Sequence, residues 1–473
     1  MKSTQWSAGM YATVGGKGIT SRAGTAGARM LLDKVGMPAA ISAALAGTTA
    51  YPGHDRGRVL TDLAVTIADG GTRLGDVDAL ADQGELFGPV ASVATGWRVL
   101  AETSGRLGEI TAARAEVRAH VWEQIAARHG AIPPSTVAGT DLGDVVVLRV
   151  DATIVIAHSD KEGAAGTFKK TYGHDLLTAW CDNTGECLVL KLRPGNAGSN
   201  TADDHIEVIK DAIAQLPETH RGKLLITVDG AGSSHALVRF LDRLGNDPGH
   251  PERTVYYAVG FDVDDRVRSV VGEVPETVWA AAVRTDGEPR RNGQVAELTG
   301  LLREGPDGDR YRNWPKTLRL IARRERPAPG AQLSLFEQHA GFRFQVTATN
   351  LPTGHQVPFL EAVHRLQARV EAFIRRGKDT GLRRLPSKKK TINLGWCVAV
   401  AMACDLLAWL RLLTLDGELA KAEPKTLRYR VLHVAARIIR SGRRREIRIP
   451  ETWPWAHQIA AMVDRIQALP TRA

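Results

Sequence analysis

Two hydrophobic rhythms alternate along the chain. In the first third, apolar residues recur at helical steps. Residues 39–46, 58–68 and 111–128 are predicted helices, separated by Gly and Pro punctuation. The run Ile132-Pro133-Pro134-Ser135 marks a boundary. Beyond it, DVVVLRVDATIVIAH at 144–158 is rich in Val and Ile, as a buried strand requires. A turn at Lys161-Glu162-Gly163 and strands at 167–181 and 187–192 complete a predicted antiparallel meander. Asn200-Thr201 is placed to cap a helix running to about residue 216. A strand at 223–228, a helix at 234–244 and a strand at 254–259 follow.

Three strands, a helix, a strand, a helix and a strand is the order of a ribonuclease-H-like domain. From 261 to 352 the rhythm breaks. Short strand candidates at 278–284, 318–324 and 343–348 alternate with polar loops, which predicts a β-rich insertion. Helix returns at 358–378, and an apolar helix covers 394–414. A basic stretch at 425–448 precedes Trp453-Pro454-Trp455. The expected fold class is α/β: a ribonuclease-H-like core with a β-rich insertion, plus a helical N-terminal region. The expected divisions are a helical region at 1–140, the first part of the core at 141–260, the insertion at 261–352, the second part of the core at 353–415 and a basic helical region at 416–473.

Composition narrows the class. With 473 residues, 43% of them hydrophobic, the chain can bury a large core, so a disordered polymer, a collagen and a disulfide-stapled miniprotein are excluded. The formal charge of +10 favours an anionic partner, nucleic acid first. Cys181, Cys187, Cys397 and Cys404 form no C-x-x-C pair, which fits free thiols in a reducing compartment. The opening residues carry no apolar run, so no secretory signal is expected. Residues 394–413 match a bilayer span in length, but Asp405 and Arg411 would each cost about 2.5–3.5 kcal/mol near a membrane centre. A buried helix of a soluble core, with no membrane partner, is the expectation.

Two carboxylates stand at telling places. Asp151 lies inside an apolar strand, where burial is costly unless it is paired or holds a metal. Asp229 ends the fourth strand, before Gly230-Ala231-Gly232. In the predicted sheet these strands are neighbours, so the two carboxylates could share divalent ions. Mg²⁺ suits hard oxygen ligands and keeps positions for water and phosphate oxygens. The plainer reading of Asp229 is a helix cap. A third carboxylate is expected from HRLQARVEAFIRRGK. There His364, Gln367, Glu371, Arg375 and Lys378 are separated by 3, 4, 4 and 3 residues and share a helical face. By spacing alone that face reads as solvated charge.

Longer motifs add a resemblance. GHDRGRVLTDLAVTIADGG (53–71) and ELFGPVAS (85–92) come first. RVDAT, KEGAAGTFKKTYG, CDNTGECL, LRPGNAGSNTADDH and TVDGAGSSH follow in the centre. VAELTGLL, RRERPAPGAQLS, ARVEAFIRRGKDTGLRRLP and DLLAWLRLL come later. In these motifs, over nearly the whole chain, the sequence resembles a DDE transposase of bacterial insertion sequences, in the insertion-sequence family numbered 1380. The resemblance implies that residues 1–140 bind DNA and that Asp151, Asp229 and Glu371 form a metal-holding catalytic triad. Related transposases show Tyr, two residues, Arg, three residues, Glu, six residues, Lys. Glu371 and Lys378 match, whereas His364 and Gln367 depart. Glu361 is a competing acid ten residues upstream.

The implied cofactor is Mg²⁺, or Mn²⁺ in its place, with two ions per site. The implied reaction is cleavage at the ends of a mobile element and joining to target DNA, by a cut-and-paste route. Partners are double-stranded DNA, both terminal inverted repeats and target, and a second copy of the chain. The expected location is the bacterial cytoplasm, at the nucleoid. Lys378, Arg375, Lys169, Lys170, Arg323, Arg324, Arg383 and Arg384 are candidate DNA contacts. Trp279 and Trp314 are candidates to stack on a flipped base. A transposase-derived DNA-binding protein without catalysis and a ribonuclease-H-like nuclease are the competing readings.

Overall fold

The computed structural model describes residues 10–48, 52–158, 160–198, 201–230, 234–304, 308–442 and 444–472. Five helices of eight residues or more lead: α1 (Ala23–Lys34), α2 (Met37–Ala44), α3 (Arg56–Ala68), α4 (Val93–Ser104) and α5 (Leu107–His129). Side-chain caps start two of them. Asp55 caps α3 by accepting the Arg58 N–H at 2.6 Å, and Ser92 caps α4 through the Thr95 N–H.

A large mixed sheet follows. Strands β1 (Val146–Ile156), β2 (Tyr172–Cys181) and β3 (Cys187–Pro194) form an antiparallel meander. Helix α6 (Ala202–Gln215) leads to β4 (Lys223–Val228), and α7 (His235–Leu244) leads to β5 (Thr254–Phe261). Both β4 and β5 run parallel to β1, so the order is β3-β2-β1-β4-β5. Residue 200, half of the expected cap of α6, lies outside the described residues, and the Thr201 side chain makes no cap bond.

The segment after α8 (Asp265–Glu273) adds β6 (Ala280–Val283), β7 (Pro289–Glu297), β8 (Arg319–Glu325) and β9 (Arg343–Thr349). These strands extend the same sheet: β9 pairs antiparallel with β5, then β8, β7 and β6 follow outward. Strand β7 has no counterpart in the sequence pattern, because PRRNGQVAE has no apolar residue in its first half.

The chain then returns across the sheet in α9 (Val357–Arg365), a 3-10 turn at Leu366–Ala368 and α10 (Arg369–Gly377). One continuous helix was expected here. The turn interrupts it, and Gly381, at φ +83°, ends the following loop turn. The long helix α11 (Lys390–Thr414) follows. It packs on α1, α3, α4, α5 and β3, so the N-terminal helices and the sheet share one hydrophobic core. Among the described residues α11 is the one helix long and apolar enough to cross a membrane, and 83% of its apolar window is buried inside the protein.

A buried ionic quartet ties these parts together. Arg114 and Arg118 of α5 both reach Asp405 of α11, at 2.9 and 2.7 Å. Arg118 also pairs with Glu186, just before β3, at 2.8 Å. Glu186 accepts three further hydrogen bonds, from Trp122, Trp409 and Thr184. The quartet is formally neutral, which is what makes its burial tolerable.

The expected helical region at 416–473 needs correction. Its basic stretch forms a hairpin of β10 (Ala436–Ser441) and β11 (Arg444–Arg448), before the last helix α12 (Ala456–Ala468). Alternation decides it. In ARIIRS, buried Ala436 and Ile438 flank exposed Arg437, a two-residue period, Ile438 pairs with Ile447 on the partner strand, and Gly442 takes the positive φ of the turn.

Candidate active site

Strand periodicity places the acidic residues. On β1, Val146, Leu148 and Val150 enter the main core, whereas Val147 packs with α9. Arg149 and Asp151 continue the Val147 face. On β4, Leu225 packs with α9 and Thr227 continues that face. Parallel register sets Val150 opposite Val228, so Asp151 and Asp229 are the next residues on adjacent strands. Asp229 lies just past the end of β4, while β1 runs on and pairs Asp151 with Thr178 of β2. The Asp151 carboxylate accepts the Ala152 N–H at 2.8 Å.

Helix α10 brings the third acid. Asp151, Asp229 and Glu371 line one cavity of about 250 Å³, together with Glu361, His364, Arg323 and Gln367. Asp151 and Asp229 also line a neighbouring cavity of about 390 Å³ with Phe168, Lys169, Asp175 and His205. The two aspartates therefore form the ridge between two halves of a cleft.

Burial pushes the Asp151 carboxyl up to about 7. The Ala152 N–H opposes that rise, and the negative charges of Asp229, Glu371 and Asp175 add to it. Glu361 is also pushed up by burial, but two cations stand beside it. Arg323 lies at 2.9 Å and Arg365 at 3.1 Å. Its charge is therefore balanced within the fold, and that of Asp151 is not. His364 is pushed down to about 4 by burial, so its ring is neutral near pH 7. Its Nε2 has no protein partner. Three carboxylates supply hard oxygen donors of the kind Mg²⁺ takes. Among the described residues no three His, Cys, Asp or Glu side chains converge tightly enough to hold an ion by themselves.

A family model described as transposase DDE domain group 1 matches residues 4–471. The chain belongs to this DDE transposase family. No curated protein matches it. Among solved structures, the piggyBac transposase in a synaptic complex with hairpin DNA is similar at a TM-score of 0.38 and 9% identity. That match covers 86% of this chain and 84% of the other.

The transposase places the remaining candidate residues unequally. Lys378 is half-buried near Asp151. Burial and the positive charges of Lys169 and Arg383 push its amine down, while Asp151 pulls it up. Lys169 and Lys170 are exposed on the β1–β2 connection, with Lys170 at φ +57°. Arg383 is exposed and pairs with Asp379 at 2.7 Å, and Arg384 is exposed beside it. Arg375 is not among the residues lining the cavity. It is exposed, one turn beyond Glu371 on α10 and 3.9 Å from Glu423. Arg323 is committed to Glu361 and Gln345. Arg324 is 7% exposed, pairs with Glu276 and lies between the rings of Trp279 and Phe342, at 4.2 and 4.7 Å. That contact also covers the Trp279 face. Trp314 is half-buried, edge-on to His235 and Phe261.

The aromatic that the transposase sets in the cleft is Phe168. It is 75% exposed, with the Lys169 amine 5.6 Å from its ring. An aromatic beside two lysines, in TFKK, is the pattern that could have revealed it.

Proposed function

We propose that this transposase cleaves the ends of a bacterial mobile element and joins them to target DNA through a metal-dependent site at Asp151, Asp229 and Glu371. The observation that carries the reading is the cleft itself. Three acids from two adjacent strands and a crossing helix line one cavity, and their mutual repulsion helps hold Asp151 far above the usual carboxylate range. Such unbalanced negative charge favours a site for cations. The strand order β3-β2-β1-β4-β5, antiparallel then parallel, supports a ribonuclease-H-like core with the insertion extending its sheet.

The three carboxylates would hold Mg²⁺ or Mn²⁺, two ions per site. When bound, such ions activate an attacking oxygen and stabilise the leaving one. The protein's own groups do the positioning. Lys378 offers a point charge to a phosphate beside Asp151. Lys169, Lys170, Arg383 and Arg384 line the approach with exposed positive charge, so DNA binding weakens with salt. Phe168 offers a face on which an unpaired base can stack, a role the covered face of Trp279 does not serve. Membership of the insertion-sequence family numbered 1380, a cut-and-paste route, a homodimer on DNA and a place at the nucleoid complete the proposal.

The test is cleavage of duplex DNA carrying the repeats that flank the gene, with Mg²⁺. Wild type is compared with Asp151→Ala, Asp229→Ala, Glu371→Gln and Glu361→Gln. The first three substitutions should abolish cleavage and Glu361→Gln should retain part of it. Full activity in Glu371→Gln would remove that residue from the triad. Cleavage unaffected by EDTA would end the metal mechanism.

A further inference from the structure

His364 and Gln367 stand where related transposases carry Tyr and Arg, and the proposed reaction leaves both without a role. Gln367 is 5% exposed, too deep to lie along a DNA backbone. Its amide nitrogen donates to the Val150 carbonyl at 2.8 Å. Its amide oxygen accepts from the Thr227 hydroxyl at 2.5 Å. Val150 precedes Asp151 on β1, Thr227 lies two residues before Asp229 on β4, and Gln367 lies four before Glu371. One side chain thus touches all three acid-bearing segments.

The amide suits this place because it offers a donor on one side and an acceptor on the other. An arginine has no acceptor for the Thr227 hydroxyl. One contact beside it acts in the same sense. Arg369, two residues before Glu371, donates to Asp182 at 3.1 Å, and Asp182 also accepts from Arg149 of β1 at 2.6 Å.

We propose that Gln367 is a positioning residue that sets the spacing of Asp151, Asp229 and Glu371 for divalent-ion binding and makes no contact with DNA. This rests on the reading of those three acids as the metal-holding triad. The amide spans a gap that would otherwise widen, and fixed spacing of ligand-bearing segments governs ion affinity.

Binding of Mn²⁺ to the full-length, DNA-free protein tests it, followed by the paramagnetic resonance signal of the free ion. Gln367→Leu should weaken Mn²⁺ binding about 10–100-fold. Its affinity for the end-repeat duplex, measured in EDTA, should stay within about twofold, since no phosphate or base contact is lost. Thr227→Val should weaken Mn²⁺ in the same direction, and Thr227→Ser, which keeps the hydroxyl, should restore it. The double variant should be little worse than Gln367→Leu alone, because that substitution already removes the Thr227 bond along with the Val150 bond. If Gln367→Leu does not fold, Thr227→Val and Thr227→Ser decide the matter. Wild-type Mn²⁺ affinity in Gln367→Leu, or weakened DNA binding with Mn²⁺ affinity intact, overturns the proposal. Asp151→Asn and Asp229→Asn are run alongside. If they keep Mn²⁺ affinity, the triad reading fails first and takes the positioning role with it. If they lose it while Gln367→Leu does not, only the positioning role fails.

Discussion

Removing the Asp405 carboxylate is the sharpest test of what holds the protein together. Asp405 accepts from Arg114, from Arg118 and from the Cys187 N–H at 3.1 Å, and it is fully buried. In Asp405→Ala, Arg118 keeps Glu186 and Gln215. Arg114 keeps only the Cys187 carbonyl, at 2.8 Å. The quartet then carries one uncompensated buried positive charge. Breaking a buried pair from one side costs about 3–5 kcal/mol. The orphaned Cys187 N–H adds about 1–3 kcal/mol. Against a whole-domain stability of about 5–15 kcal/mol, such a loss is severe. Asp405→Asn keeps an acceptor and should cost less. Adding Arg114→Met to Asp405→Asn removes the surplus charge and should recover at least about half of the loss. Urea unfolding followed by fluorescence of the buried Trp122, Trp180, Trp396 and Trp409 reads these differences. Two results would refute the reasoning: Asp405→Ala within about 1 kcal/mol of wild type, or a further loss on adding Arg114→Met.

Three other predictions follow from the cleft and the core. In EDTA, Asp151→Asn should be more stable than wild type at pH 8 and equal near pH 4. The folded carboxyl titrates near 7 against 3.8 unfolded, so wild-type stability falls as pH rises through that window, by up to about 4 kcal/mol before solvent screening; parallel urea curves at the two pH values check it. Phe168→Ala should lose about 1–3 kcal/mol of binding to DNA with an unpaired base near the cleavage site, and Phe168→Trp should not; 2-aminopurine fluorescence reports the stacking, and Tm should be unchanged. Gly395→Ala sets a methyl group against the Leu100 backbone where α11 crosses α4, and should cost about 1–3 kcal/mol in urea unfolding.

The strands of the β3-β2-β1-β4-β5 order were legible because Val and Ile runs bounded by turns have few other solutions. Of the N-terminal helices, α2, α3 and α5 were legible from their periods, whereas α1 and α4 were not expected. Strand β7 was hidden by its polar first half, and the basic hairpin by its charge, which masks the alternation of buried Ala436 and Ile438 with exposed Arg437. The site was legible as residue types in order. Contacts between distant segments were not. Nothing in the spacing of Glu361 and Glu371 tells that Arg323 stands beside one of them. Nothing local shows that Arg324 is spent between Trp279 and Phe342, or that Gln367 reaches back to Val150. These partners lie tens to hundreds of residues apart, and only the sheet brings them together.

Helix α11 also sets a timetable. The apolar faces of α3, α4 and α5 close on it, yet roughly 260 residues separate the end of α5 from its start. At about 5–20 residues per second, a ribosome needs roughly 15–50 s to bridge that interval. Throughout it the N-terminal helices stand without their central partner, and Arg114 and Arg118 without Asp405. Assembly of the N-terminal third therefore waits for the last quarter of the chain. A polypeptide cut short before α11 lacks the helix on which α3, α4 and α5 close.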